Sequence, residues 1–271
     1  MDFKQDLLSK IILIFMLVIV LSPIVWMFLL SITPRQHLFQ SFIPPYFTLK
    51  NYIYTFKETS VLMSFRNSWI IASGVVVLSL AIGAPAAYAL SRYKFRIKPH
   101  LVVLVVITQM LPMTLLATAY LRIVSSLGLY NTLFALIIVN STNALPLVIL
   151  LLKSTFDTIP PELEEAAMID GCSRFGAFTR VALPLASAGI FAAGFFAFQE
   201  AWIEFLYALT LTSDVEARPL TVEITARLGH YVIDWGQMMA MSFALSLPVF
   251  VLFLTFQKSL LRGFTAGALK E

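Results

Sequence analysis

Several uninterrupted apolar runs, each about 20 residues long, constrain the fold of this chain more than any other feature of its sequence. A helix of that length crosses the ~30 Å hydrocarbon layer of a bilayer, since each residue adds about 1.5 Å. Inside lipid every backbone N–H and C=O needs an internal partner, which helices supply within one segment. Only 13% of the residues are charged, about half the fraction found in soluble domains. The sequence therefore predicts an all-α integral membrane protein.

We predict six membrane-spanning helices with both termini in the cytoplasm. In that orientation 12 of the 19 basic residues fall in inner segments and 7 in outer ones, as the positive-inside rule requires. The short loop that carries Arg92, Lys94, Arg96 and Lys98 contributes most to this assignment. The first run extends to Ile32, which is too long for a cleaved signal peptide. The predicted spans lie near residues 11–32, 69–90, 101–124, 132–152, 185–209 and 238–260.

The whole chain, residues 1–271, is interpreted as a single transmembrane domain with a core at about 65–262. The outer segment from about 33 to 68 is too short for a separate domain, and we expect it to pack on the membrane surface. Prolines inside the predicted spans either kink a helix for packing or free backbone carbonyls along a transport pathway. They are Pro23, Pro85, Pro112, Pro146 and Pro248.

Few side chains are available for metal, redox or nucleic-acid chemistry. Cys172 is the single cysteine and can form neither an internal disulfide nor, alone, a zinc site. His37, His100 and His230 lie far apart, without metal-ligand spacing. The net charge of +4 follows from basic residues in membrane loops, so it does not indicate nucleic-acid binding. We expect no metal site, no catalytic residue and no cofactor bound by this chain, and a membrane-embedded enzyme would need a catalytic constellation that is missing.

The cytoplasmic segment at about 158–184, between the fourth and fifth predicted spans, carries the most specific pattern. Pro161 suits a first helical turn, and three glutamates follow it near the positive end of the helix dipole. Gly171 can adopt the left-handed conformation that ends a helix, and Ser173 can cap a second short helix. Composition alone leaves open an amphipathic surface helix whose acids face water.

Small and acidic residues at fixed spacing run through these two helices: Glu165, Ala166, Ala167, Gly171, Val181, Leu183 and Pro184. The pattern resembles the EAA motif of bacterial and archaeal ABC importer permeases, with valine where isoleucine is usual and with Asp170 before the glycine. The resemblance implies a coupling helix that docks in a cleft of an ATPase subunit. It assigns Glu165 to a contact with a basic residue of that subunit, Ala166 and Ala167 to close packing, and Gly171 to the bend.

Other stretches extend the match over most of the chain: 86–92, 127–132, 201–206 and 234–236. They resemble the carbohydrate-type importers that include the maltose and trehalose permeases. That resemblance implies a sugar permease in the cytoplasmic membrane of a bacterium or archaeon. It implies as partners a second homologous permease, two copies of an ABC ATPase that bind ATP and Mg²⁺, and an extracellular or periplasmic sugar-binding protein. The chain has no G-x-x-x-x-G-K-[ST] sequence of its own, and a relative in the same group carries glycerol 3-phosphate, so the substrate stays open.

The C-terminal residues, about 261–271, resemble the tail of the maltose-type permease subunit, which reaches between the ATPase subunits. Small residues and two glycines favour an extended tail. We expect Gly263, Thr265, Gly267 and Lys270 to contact the ATPase, and the alternative is a frayed terminus.

Polar residues inside the spans are the candidates for the transport pathway or its gate. Asn140 and Asn143 lie midway along the fourth span and are expected either to bind sugar hydroxyls or to join helices. Glu200 lies about 24 Å along its helix from Pro184, so Glu200 and Glu204 are expected near the outer interface, at a gate or snorkelling to water. A secondary transporter would need ionisable residues at the midplane and often inverted repeats, and the sequence offers neither.

Overall fold

The computed structural model of the chain describes residues 3–40, 43–229 and 234–268, and no strand occurs within those ranges. Short 3₁₀-helices lie at Arg35–His37 and Arg227–Gly229. The α-helices are α1 Phe3–Ser31, α2 Lys50–Lys57, α3 Thr59–Arg92, α4 Lys98–Thr108, α5 Met113–Ser126, α6 Leu133–Thr158, α7 Glu162–Ile169, α8 Arg174–Ala177, α9 Leu183–Leu185, α10 Ser187–Ile203, α11 Leu206–Leu211, α12 Leu220–Ala226 and α13 Trp235–Ala268.

Within the described residues, four helical segments are long and apolar enough to cross a bilayer unaided: Ser9–Ser31, Thr59–Arg92, Leu133–Thr158 and Trp235–Gln257. Two bent pairs also qualify, α4 with α5 and the Arg174–Leu185 segment with α10. The count of spans is therefore four, or six if each bent pair is one span.

The predicted continuous helix at 101–124 is wrong in one respect, because α4 and α5 meet at 96°. The turn between them tightens first, as the N–H groups of Gln109 and Met110 donate to carbonyls three residues back. Pro112 then has an extended ψ of 126° and caps α5. Since proline has no N–H and disfavours helix in the residue before it, the straight path cannot continue.

The predicted helix at 185–209 is also interrupted. Residues 174–185 and α10 meet at 78°, and α10 ends at Ile203 because Glu204 is extended, with ψ of 135°. The chain then turns into α11. Of the prolines within predicted spans, only Pro112 coincides with a break, whereas Pro23, Pro85, Pro146 and Pro248 lie inside continuous helices.

One compact unit comprises the described parts of Met1–Leu62 and Glu223–Pro248. Its outer segment is ordered by Asn51, which is buried and donates to the carbonyls of Ser31 and Thr33 at 2.9 Å each. A Cβ at Gly236 would lie 2.7 Å from the Asn51 amide nitrogen, so glycine permits this approach. On α1, residues 11–21 expose their apolar side chains, as a helix does whose neighbour is lipid or another chain.

The second unit comprises Met63–Val222 and the described part of Val249–Glu271. Its core is the packing of α10 on α6, where small residues allow the helices to approach closely. Trp69, Phe198 and Trp202 pack together beside it, with ring centroids 5.1–5.5 Å apart. Trp202 is 1% exposed, so it belongs to this core and not to an aromatic belt at the headgroups.

Two asparagines fix the loop that follows α11. Asn67 is fully buried and donates to the carbonyls of Glu216 and Arg218 at 2.9 and 3.1 Å. Asn131 has a φ of 61°, and its side-chain oxygen accepts the N–H of Ser213 at 2.9 Å. The loop is therefore held to α3 by the buried amide of Asn67 and to the start of α6 by the half-buried amide of Asn131.

Candidate functional site

The segment at 158–184 includes α7, whose two ends are defined by backbone chemistry. Pro161 precedes its first residue, and its carbonyl accepts the first backbone bonds of the helix. At the other end Gly171 has a φ of +92°. The N–H of Cys172 donates to the carbonyl of Ala167 at 2.9 Å, and that of Gly171 to Met168 at 3.1 Å. This is a Schellman motif, and it needs glycine at the left-handed position.

A second helical segment leaves the turn in a new direction. The Ser173 hydroxyl accepts the N–H of Gly176 at 3.1 Å and caps α8, as predicted. A π-helical turn at Phe178–Ala182 then connects α8 to α9. The Arg174 guanidinium lies 5.7 Å from the centre of the Tyr93 ring.

The residues assigned to coupling lie mostly on the outside of this segment. Glu165, Ala166, Asp170 and Gly171 are exposed, and Ala167 is half-buried.

Large apolar side chains are exposed beside them. Leu163 is 47% exposed, Ile169 86% and Phe175 74%. With Glu165 and Ala166 they make up what we call the α7–α8 face. On α7, positions 163, 166 and 169 recur every three residues and so share one side of the helix. A face that combines exposed apolar area with acidic charge is typical of a surface that a partner protein covers.

Glu164, one residue before the motif glutamate, is 4% exposed. Its Oε1 accepts from Arg92 Nε at 2.8 Å, and its Oε2 accepts from the Tyr88 hydroxyl. Both carboxylate oxygens are therefore occupied by groups at the end of α3. The Tyr88 ring in turn packs against Phe156 and Phe178, with centroids 5.6 and 4.7 Å away.

Arg92 also donates hydrogen bonds to the free carbonyls at the C-terminal end of α6. Its terminal nitrogens donate to the carbonyls of Phe156 and Ile159 at 2.9 Å each. The last carbonyls of a helix lack intrahelical partners and carry partial negative charge, so a guanidinium is favourable there. Beside it, Ser91 donates to Asp157 at 2.7 Å. One arginine thus joins α3, α6 and α7.

Sequence reasoning identified the exposed glutamate and missed the buried one. Three glutamates begin α7, and nothing in their spacing marks Glu164 as the one that turns inward. The only signal for a buried partner of Glu164 was Arg92 at the end of a long apolar helix, and the positive-inside rule already accounted for that charge.

The four pathway candidates do not form one group. Asn140 is buried and donates to Leu136 of its own helix at 2.9 Å. Asn143 is half-buried and donates to the Glu200 carboxylate, which joins α6 to α10. The Gln109 side chain donates to the Asn143 carbonyl at 3.2 Å. A polar cluster of Gln109, Asn143 and Glu200 therefore lies beside the break between α4 and α5.

An open cavity of about 340 Å³ adjoins this cluster. Most of its wall is apolar, and its polar groups include Gln109 and Asn143 together with Tyr120 and Thr142, whose hydroxyls lie 2.8 Å apart. The cavity sits where the α4–α5 bend opens the bundle.

Glu204 lies apart from this cluster and caps the start of α11. Its carboxylate accepts the N–H groups of Tyr207 and Ala208 at 2.6 and 3.0 Å, which are orphan donors at the start of α11. Its backbone carbonyl accepts from the Thr221 hydroxyl at 2.8 Å. These contacts fix the start of α11, and a role of Glu204 at a gate stays a prediction.

The C-terminal residues follow a different path from the one predicted. The backbone is helical through Ala268, the end of α13, where the sequence had favoured an extended tail from about 261. The glycines and alanines of this segment continue the helix, because adding one residue to a helix that has already formed costs much less free energy than nucleating a new turn. Gly263, Thr265 and Gly267 lie within α13, and Lys270 lies outside the described residues.

Comparison with known proteins identifies the family. The profile of the binding-protein-dependent transport system inner membrane component matches residues 79–266, which include the polar cluster and the whole 158–184 segment. The chain belongs to this family. The resemblance drawn from the EAA pattern is thereby confirmed, and this member of the family is a multi-pass membrane protein.

Its relatives include sugar permeases. The chain is 35% identical to the trehalose/maltose transport system permease protein MalG of Thermococcus litoralis over 275 residues, covering 98% of this chain and 99% of that one. It is 34% identical to the sulfoquinovosyl glycerol transport system permease protein SmoH of Agrobacterium fabrum, covering 92% and 89%. A solved bacterial ABC transporter that imports alginate has the same fold, with a TM-score of 0.81 at 21% identity, covering 93% of this chain and 95% of that one.

Proposed function

We propose that this permease is one membrane subunit of a binding-protein-dependent ABC importer for a sugar. It pairs with a second, homologous permease, rests on two copies of an ABC ATPase, and receives its substrate from an extracellular or periplasmic sugar-binding protein. ATP and Mg²⁺ bind to the ATPase subunits and not to this chain. The observation that carries the proposal is the exposed α7–α8 face, on a chain whose relatives are sugar transport permeases.

For the membrane arrangement we assign each bent pair to one span, which gives six spans. The excess of basic residues in the inner loops supports an orientation with both termini on the cytoplasmic side. The single domain then comprises both compact units. The alternative, in which a bent pair re-enters the same side, would place the ends of the chain differently and is tested by labelling of cysteines introduced at each terminus.

Coupling residues are assigned on the α7–α8 face. Glu165 contacts a basic residue of the ATPase, Ala166 and Ala167 allow close approach, and Asp170 with Gly171 sets the bend between the helices. ATP binding closes the ATPase subunits, and α7 moves with them and turns the bundle from inward-facing to outward-facing. The end of α13, with Gly263, Thr265 and Gly267, and Lys270 beyond it, adds a second contact with the ATPase.

Affinity purification of this chain from its native membranes tests the proposal directly. We expect a P-loop ATPase, a second permease and a sugar-binding protein to come with it, and reconstituted vesicles to take up sugar only with ATP. Recovery of the chain alone, with ATP-independent uptake in vesicles, would instead favour the secondary transporter. A panel of disaccharides, oligosaccharides and glycerol 3-phosphate then defines the substrate.

For the pathway we assign Asn143 and Glu200, because their polar cluster joins two helices beside an open cavity. Asn140 and Glu204 instead stabilise the fold through backbone contacts.

Substitution of Asn143 by alanine separates these roles. It leaves the Glu200 carboxylate without its amide donor among apolar helices, and a hydrogen bond to a charged group is worth about 1.5–3 kcal/mol. We expect the initial rate of sugar uptake at low substrate concentration to fall by about tenfold or more. Asn140→Ala is the matched control, since it removes only a bond to its own helix. Equal uptake by the two variants would contradict the assignment.

A further inference from the structure

Glu164 and Glu165 are neighbours on α7 with opposite surroundings. Successive residues of an α-helix point about 100° apart, because a turn holds about 3.6 residues. Glu165 is exposed, whereas the Glu164 side chain is 5% exposed. A docked ATPase can therefore touch Glu165 and cannot reach Glu164 without opening the fold.

Three side chains fasten α7 to the membrane helices, and we call them the latch: Tyr88, Arg92 and Glu164. The Arg92 side chain is 13% exposed and uses all three of its nitrogens, one toward Glu164 and the others toward the end of α6. Removing one partner of such a buried pair leaves the other charge uncompensated. The latch is therefore a buried set of contacts that holds α7 in a fixed position against the membrane helices.

The latch joins α7 to two long helices and to the segment that follows α8. α3 supplies Tyr88 and Arg92, and α6 supplies the carbonyls of Phe156 and Ile159. The Tyr88 ring packs on Phe178 in the π-helical turn. A displacement of α7 is therefore passed to α3 and α6 through hydrogen bonds, and to the π-helical turn that precedes α9 through packed rings.

We propose that the latch transmits the movement of the docked ATPase to the membrane helices, so that Glu164 and Arg92 are positioning residues for transport. This inference rests on the proposed function. Docking depends on the exposed Glu165, and transmission depends on the buried Glu164. A docking residue and a transmitting residue therefore lie side by side on one short helix.

The test measures sugar uptake and ATP hydrolysis together, in proteoliposomes that contain the complete complex. Glu164→Gln keeps the side-chain shape and removes the charge that pairs with Arg92. We expect the ATPase subunits to be recovered in normal amount and ATP hydrolysis to persist, while sugar imported per ATP falls by about tenfold, within the factor of 5–150 typical of coupling between sites. Tyr88→Phe, which removes one hydrogen bond and keeps the ring, should give a smaller fall in the same ratio.

Glu162→Gln is the control, because Glu162 is an exposed acid of the same turn, and its ratio should equal that of the wild type. A residue with only a structural role would lower uptake and ATP hydrolysis in proportion and leave the ratio unchanged, which would overturn the proposal. Loss of the ATPase from the Glu164→Gln complex would also overturn it, since Glu164 would then act in docking. If Glu164→Gln fails to reach the membrane, an unchanged ratio in Tyr88→Phe overturns it. A wild-type chain that captures no ATPase would instead refute the proposed function.

Discussion

We expect that reversing the charge of Glu165 to arginine nearly eliminates ATP-driven uptake, with the chain still inserted in the membrane. Glu165 is exposed on the α7–α8 face in the part of the chain that the structure describes. In the docking that we propose, the new guanidinium would face a basic residue of the ATPase. Like charges brought together in an interface cost several kcal/mol, and each 1.4 kcal/mol corresponds to a factor of ten. Uptake should therefore fall by about a hundredfold or more.

Two measurements make this expectation specific. The amount of ATPase that co-purifies with Glu165→Arg should fall together with uptake, while the amount of the variant chain in membranes stays at the wild-type level. Glu216→Arg places the same charge at an exposed acid outside the α7–α8 face, and should retain ATPase binding. Full uptake by Glu165→Arg would show that the α7–α8 face does not dock the ATPase.

Gly189→Ala is the second substitution with a large expected effect, and it acts on folding. Gly189 is buried where α10 crosses α6, and a Cβ built there would lie 2.7 Å from the Cβ of Thr155. The nearest atoms belong to a short, β-branched side chain that has little freedom to move aside. Overpacking of this kind costs about 1–3 kcal/mol. We expect a lower melting temperature for the purified chain and a smaller folded fraction in membranes.

Gly194→Ala on the same helix is the matched control. A Cβ there would lie 3.4 Å from the end of the flexible Leu80 side chain, which can adjust. Since alanine also has the higher helix propensity, Gly194→Ala should be neutral or stabilising. Combining Gly189→Ala with Thr155→Ala should recover part of the loss, because the Thr155 hydroxyl and methyl groups are removed. Equal melting temperatures for the two glycine variants would show that α6 and α10 do not pack as described.

The pathway candidates illustrate what a residue type can reveal and what it cannot. Asn140 and Asn143 both lie on α6, and the side chains of both could bind sugar hydroxyls. Positions three residues apart lie only about 60° apart around a helix, so helical spacing places both side chains on the same side. They differ in their partners: the Asn140 amide donates to Leu136 of its own helix, and the Asn143 amide donates to Glu200 of α10. That difference depends on which helix lies opposite, and the opposite helix is distant in sequence.

Local chemistry explains the parts of the fold that sequence reasoning predicted well. Long apolar runs must be helices in lipid, glycine alone readily takes the φ of +92° seen at Gly171, and Ser173 caps the helix that follows it. Each of these depends on a few neighbouring residues. Three features were not predicted: which of the five span prolines bends its helix, the end of α10 at Glu204 and the helical end of α13.

By itself the sequence determined the helical class, the family, the glycine that ends α7 and the serine that caps α8, because bilayer thickness and backbone hydrogen bonding act locally along the chain. Only the tertiary structure decided which of the adjacent glutamates is buried. Glu164 lies 72 positions from Arg92 in sequence, and their pairing exists only once α3, α6 and α7 have packed. A buried charge is tolerated where a partner of opposite sign is already in place, and which residue supplies that partner is set by how the helices pack.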